Sequence, residues 1–228
     1  MNLRLFQLGD SALPIGGFSH SWGLEAAIAR NQISGAASLE SWVRSWLHHA
    51  LGPLEGVVVA SVCKAVLEED WLTVREGNEL LWASLTPFTL RHASRDMGEQ
   101  LLALAEAWPW GSPTVTALRN ISSAAARFKE WHHAPVFASL AATAGAGPGE
   151  ALLVYLHQAT LGIVGAGVRA IPIGHTHGQQ ILTALHDDIQ DLARQLAGRD
   201  LETAGSFCPA YEEMCHVQSR LYTRLFRS

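Results

Sequence analysis

The stretch "ALLVYLHQATLGIVGAGVRAIPI", residues 151–173, decides the fold class. A helical membrane span needs about 20 consecutive apolar residues, and this segment is long enough to be one. Inside it, however, lie His157, Gln158 and Arg169, together with Gly162, Gly165 and Gly167. Polar and charged groups in that number are costly in hydrocarbon, so the segment reads as the buried central helix of a water-soluble protein. The three glycines together lower helix propensity by about 3 kcal/mol relative to alanine, a loss that packing must offset. The small residues Ala159, Gly162, Gly165, Ala166 and Gly167 are expected to let another helix approach closely.

Outward from this segment, apolar residues recur at helical spacing, and strict alternation is hard to find. The prediction is an all-α, single-domain bundle of about ten helices spanning residues 1–228, with no linker, repeat or low-complexity tract. In "LESWVRSWLHHAL" (39–51), Leu39, Trp42, Val43, Trp46, Leu47 and Ala50 share one face behind a Ser38 cap. Pro53 is expected to end that helix, and another to run from Leu54 to Glu68. Asp70 caps "WLTVREGNELLWASL" (71–85), in which Gly77 costs about 1 kcal/mol. Thr86 and Pro87 form a cap and first position for a helix that Pro109, Gly111 and Pro113 end. Further helices are predicted at 114–128, 134–145, 150–170 and 179–196, with "IPIGHTHG" (171–178) as a break. The amphipathic end, 211–228, is apolar enough to dock on something.

Composition narrows the function. A chain of 228 residues buries roughly 70% of its unfolded surface and needs no covalent staples. Charged residues are only 16%, against about 25% in typical soluble domains, which points to surface covered by partners. The net charge is −5, with Lys and Arg scattered, so a nucleic-acid partner is not expected. Cys63, Cys208 and Cys215 form an odd set without repeated spacing, as in a reducing compartment. The opening "MNLRLFQLGD" lacks the apolar core of a signal peptide, and a cytoplasmic location is expected.

Catalytic motifs are missing. No glycine run leads into Gly-Lys-Ser/Thr, and "GAGPGE" and "GIVGAG" have neither the spacing nor the preceding strand of a dinucleotide fingerprint. Ser19, in "GFSHS", is not a nucleophile elbow and reads as the N-cap of a helix beginning near it. Glu25 falls inside that helix, where it could bond free amides of the connector. Eleven histidines raise the question of metal. The candidates are His175 with His177, and Cys215 with His216; ordinary surface or hydrogen-bonded histidines are the competing reading.

Several blocks taken in order carry a resemblance. "LFQLGDSALPIGGFSHSWGLEAAI" (5–28) resembles the N-terminal signature of the urease accessory protein F family, a Leu-Pro-x-Gly-Gly-aromatic-Ser run ending in Gly-Leu-Glu. "LRHASRDMGEQLL", "APVFASLAATAG", "IPIGHTHGQQIL", "GSFCPA" and "LYTRLFRS" agree in order, so the resemblance covers essentially the whole chain. It implies an all-α, non-enzymatic, homodimeric adaptor that bridges a UreD-type (UreH-type) scaffold and a UreG-type GTPase. Through that complex it would regulate nickel insertion into apo-urease. No cofactor would be held stably, nickel being the ion delivered.

Within that frame, the signature at 9–25 is expected to be a pre-ordered contact surface. Pro14 fixes a backbone angle, while Gly16 and Gly17 open conformations denied to other residues. Pro14, Gly16, Gly17, Phe18, Ser19, His20, Gly23 and Glu25 are its candidate partner-binding residues. In the segment 211–228, Tyr222, Arg224, Leu225, Phe226 and Ser228 are expected to dock on the UreD-type protein and to order only when bound. Tyr155 and His157 are candidates for the dimer contact, with core packing as the alternative. The chain departs from the family pattern at Gln218 and Ser219, where many relatives carry a His-Glu pair, and at His177, where an acidic residue is common. The competing function is a nickel metallochaperone that holds Ni(II) directly through histidines.

Overall fold

The computed structural model describes residues 2–124 and 129–228. Its helices run in the order α1 (Leu3–Leu8), α2 (Leu24–Ala29), α3 (Ala36–Trp46), a π-helical segment (Leu47–Gly56), α4 (Val57–Leu67), α5 (Trp71–Ser84) and α6 (Phe88–Glu106). After these come α7 (Ser112–Ala124), α8 (His133–Thr143), α9 (Pro148–Ala170), α10 (His175–Ala184), α11 (His186–Leu196) and α12 (Pro209–Gln218). No strand occurs among the described residues, so the all-α prediction holds. The helix predicted at 114–128 is described only as far as Ala124; residues 125–128 lie outside the described residues.

Helices α4 and α8 form the centre. Both bury residues on every face, so the valine-rich α4 is held helical by packing rather than by its β-branched side chains. They lie against each other, with α5 and α9 on α4 and α6 on α8. Helices α10 and α11 pack on α9. Gly77 is less a weak point than a point of close approach, because a Cβ there would stand 2.8 Å from Val62 Cγ2 of α4. At Gly98 of α6 the fit is tighter still: a Cβ would fall 2.1 Å from the Trp131 carbonyl oxygen.

Pro53 does not end its helix. The chain is continuously helical from Ala36 to Leu67, and the turns around Pro53 widen to π geometry. Proline has no N–H, and its ring collides with the carbonyl four residues back unless the turn opens. The loosened carbonyls find partners in the link after α11: His49 O accepts from Phe207 N at 3.0 Å, and Pro53 O from Gly205 N at 2.9 Å. A consequence is a second helix, besides α9, that is long and apolar enough to cross a membrane; the Pro53 break had hidden it. Two-thirds of the apolar stretch of Ala36–Leu67 is buried inside the fold but only half of that of α9, so α9, expected as the buried central helix, flanks α4 and keeps an exposed face.

Other boundaries shift for local reasons. Asp70 caps α5 as predicted, its carboxylate accepting from Thr73 N. Ser38 sits inside the first turn of α3, where its hydroxyl accepts from Gly35 N; the N-cap is Gly35. Pro87, not Thr86, is the N-cap of α6. The helix expected from Gln179 begins at His175 behind Gly174 and is divided at Leu185. Of the small residues on α9, Gly167 receives Leu39 of α3, but Gly162 and Gly165 face open space.

Candidate functional site: the signature and the chain's C-terminal segment

The signature is shaped by backbone conformations that its glycines permit. Gly16 (φ +88°) and Gly23 (φ +77°) occupy the left-handed region, where a side chain is strained. Between them, Gly17–Ser19 form one turn of 3₁₀ helix, with the Ser19 hydroxyl donating to Gly16 O at 2.8 Å. Ser19 therefore closes a turn and does not cap a helix; α2 begins only at Leu24, with Gly23 as its N-cap. Gly23 also lies under α12, since a Cβ there would meet Cys215 Sγ at 2.8 Å.

The segment after α12 returns to this turn and completes it. Ser228 O accepts from Ser21 N (2.5 Å), Trp22 N (3.2 Å) and the Ser21 hydroxyl (2.9 Å). Trp22 stands at φ +55°, a left-handed conformation that points two successive amides at one oxygen. His20 Nδ1 is paired with Ser228 Oγ at 2.7 Å, and Arg227 N donates to Ser19 O at 2.8 Å. Glu25 bonds free amides as expected, but those of the far end: Leu225 N at 2.6 Å and Phe226 N at 3.2 Å.

Two further residues fasten the arrangement. Gln218 is fully buried; its Nε2 donates to Glu25 Oε2 and its Oε1 accepts from Ala26 N. The amide thus joins α12 to α2. The guanidinium of Arg169 is 3.7 Å from the Phe18 ring centre and 4.7 Å from that of Phe226, a cation between two aromatic faces. Neither Arg169 nor Ser21 was among the candidates. Arg169 offered one signal, a charged residue closing an apolar helix; Ser21 offered none.

The imidazole at the centre of the joint is uncharged at neutral pH. Burial, and secondarily the Arg227 guanidinium, pulls His20 down to about 4, with Asp96 opposing. The outer face is apolar and exposed: Phe18 is 74% accessible, Leu225 66% and Tyr222 fully so. The candidates Phe226 and Ser228 are buried beneath, while Arg224 is exposed. The two regions predicted separately therefore form one continuous surface.

The remaining candidates lie apart. Tyr155 is buried inside the fold, edge-on to Phe137, with its hydroxyl donating to Glu55; of the two residues expected at a dimer contact, only His157 presents its side chain outward. His157 faces His186, with ring centres 6.2 Å apart. His175 and His177 are exposed in the first turn of α10, and His216 is exposed on α12. Cys215 is buried, which drives its thiol well above the usual range and away from the thiolate a metal requires. No group of three or more His, Cys, Asp or Glu among the described residues is placed to hold a metal ion.

Comparison with known proteins places the chain. The family model described as UreF matches residues 33–186, the helical body between the two halves of the joint. The urease accessory protein UreF of Thermosynechococcus vestitus is 34% identical over 99% of this chain and 97% of its own length. Those of an Arthrobacter strain and of Alkalilimnicola ehrlichii are 32% and 30% identical, each over 99% of this chain and at least 95% of their own. With the signature and the closing segment inside these alignments as well as the body, the chain belongs to the UreF family of urease accessory proteins.

Proposed function

We propose that this chain is a non-enzymatic adaptor in urease maturation, acting as a cytoplasmic homodimer between a UreD-type scaffold and a UreG-type GTPase. In this role it regulates the delivery of nickel to apo-urease and holds no ion or cofactor of its own. The observation that carries the proposal is the joint of signature and C-terminal segment. Its main chain is fixed from below by Glu25, Gln218 and Ser21, and it presents Phe18, Tyr222 and Leu225 to solvent. Exposed aromatic and aliphatic side chains on a rigid base are what a partner surface requires, because little entropy remains to be lost on binding. His157 and the outer face of α9 are proposed as the dimer contact.

Co-purification of the full chain with the UreD-type and UreG-type proteins tests this. Tyr222→Ala combined with Leu225→Ala removes exposed side chains that line neither the cavity beneath the signature nor the Arg169 stack. Capture of at least one partner should fall about tenfold or more, as for a central interface residue, while the melting temperature is held. Undiminished capture of both partners would refute the assignment. The competing metallochaperone reading is not favoured: its histidines are dispersed, and its cysteine is buried and protonated.

A further inference from the structure

A cavity of about 390 Å³ lies beneath the signature, within the size range of small-ligand sites. Leu13 and Phe18 of the signature and Gly162 of α9 line its apolar part. Its polar lining includes Asp10 and Ser11 of the signature, Glu55 of the π-helical segment, Ser94 of α6, His133 of α8, and Tyr155 and Gln158 of α9.

The polar lining is under-satisfied. Ser94 Oγ, His133 Nε2 and Gln158 Oε1 are all shut away from solvent, and none has a hydrogen-bond partner. Ser94 is 3% exposed and His133 7%. Buried polar groups are ordinarily paired, and all three of these belong to residues that line the one cavity. Glu55 stands beside them, with the Tyr155 hydroxyl donating to one carboxyl oxygen. Burial pushes the Glu55 carboxyl up, a cost that an adjacent cation would offset, and draws His133 down to about 4, so the imidazole is neutral and, when protonated at Nδ1, accepts at Nε2.

The charge balance selects the ligand. Two carboxyls, Asp10 and Glu55, line the cavity against one guanidinium, Arg169, which lies between the Phe18 and Phe226 rings. To these the lining adds an unpaired amide oxygen, imidazole nitrogen and hydroxyl, an acceptor-rich set inside aromatic and aliphatic walls. Donor-rich cations suit such sites, and aromatic rings add to their attraction.

We propose that this cavity binds a small organic primary ammonium, its head at Glu55 and Gln158 and its apolar body against Leu13, Phe18 and Gly162. The site lies beneath the outward surface assigned to partners and shares Phe18 with it; Glu55 and Gln158 belong to the cavity alone and Tyr222 and Leu225 to the surface alone, so the two are tested apart. Occupancy would fill the space directly under Gly17 and Phe18 and brace the signature from within.

Calorimetry on the full chain with 2-phenylethylamine, and with the isosteric 2-phenylethanol, tests the proposal. The amine should bind saturably, and the alcohol about tenfold more weakly or less, the loss of one charged hydrogen-bonding head. Glu55→Gln should weaken the amine by a similar factor. Gly162→Leu puts a side chain into open space on a helix, so it should fold normally and lose binding. Equal affinity for amine and alcohol would overturn the proposal, as would binding that survives Gly162→Leu. So would the lack of saturable binding up to about 10 mM, the result expected of a water-filled space or of one sealed by a second copy.

Discussion

Gln218 Nε2 donates to Glu25 Oε2 at 2.8 Å, so a residue of the last helix holds the side chain that in turn holds the backbone beyond that helix. Truncating Gln218 to Ala leaves Ala26 N–H buried without its acceptor and frees Glu25 to swing. A loss of about 1–3 kcal/mol in urea unfolding is expected, the usual penalty for a stranded buried donor. An unchanged midpoint would show that water replaces the amide.

Glu25→Ala removes the acceptor for Leu225 and Phe226 amides without touching the core helices α4 and α8. The segment after α12 should then open locally while the body stays folded. Trypsin reports this, because Arg220 and Arg224 are exposed there. Cleavage at those residues should accelerate about tenfold or more, with helical circular dichroism preserved. Glu25→Gln, which keeps one acceptor oxygen, should fall between the two.

Acid should loosen the molecule in a defined window. His20 and His133 are held down to about 4 and His132 to about 3, in each case chiefly by burial. Their folded values lie below the unfolded value of 6.5, so the unfolded chain binds more protons in between. The stability they contribute is full above pH 6.5 and is lost as pH falls toward 4. Each histidine adds a slope of roughly 1 kcal/mol per pH unit there. Thermal melts between pH 7 and 4 measure it, and His20→Gln should reduce the slope by about one histidine's share. A flat profile would mean that these histidines are already charged in the folded state.

Two glycine substitutions should move in opposite directions. Gly98→Ala drives a methyl into the Trp131 carbonyl, and a loss of about 3 kcal/mol or failure to fold is expected. Gly165→Ala adds a methyl to open space within α9 and should stabilise by about 0.5–1 kcal/mol. Melting temperatures of the pair decide the point.

The helical class, the Asp70 cap and the long α9 were legible because each rests on local chemistry: periodicity, a side chain reaching its own helix start, an apolar run. Pro53 misled because its missing hydrogen bond is compensated at His49 and Pro53 by backbone from residues 205–207, which no local window contains. Ser19 misled because two left-handed residues, Trp22 and Gly23, postpone the helix to Leu24. Both halves of the joint were visible as motifs. Their union was not, since the residues that meet, such as Ser21 and Ser228, lie at opposite ends of the numbering.

That union ties the signature to the order of translation. Residues 16–25 leave the ribosome early, yet Ser21 and Trp22 receive their common acceptor only once residue 228 has been made. Loss of residues 225–228 by proteolysis is therefore felt at residues 19–25, which lose the backbone partners that complete their turn.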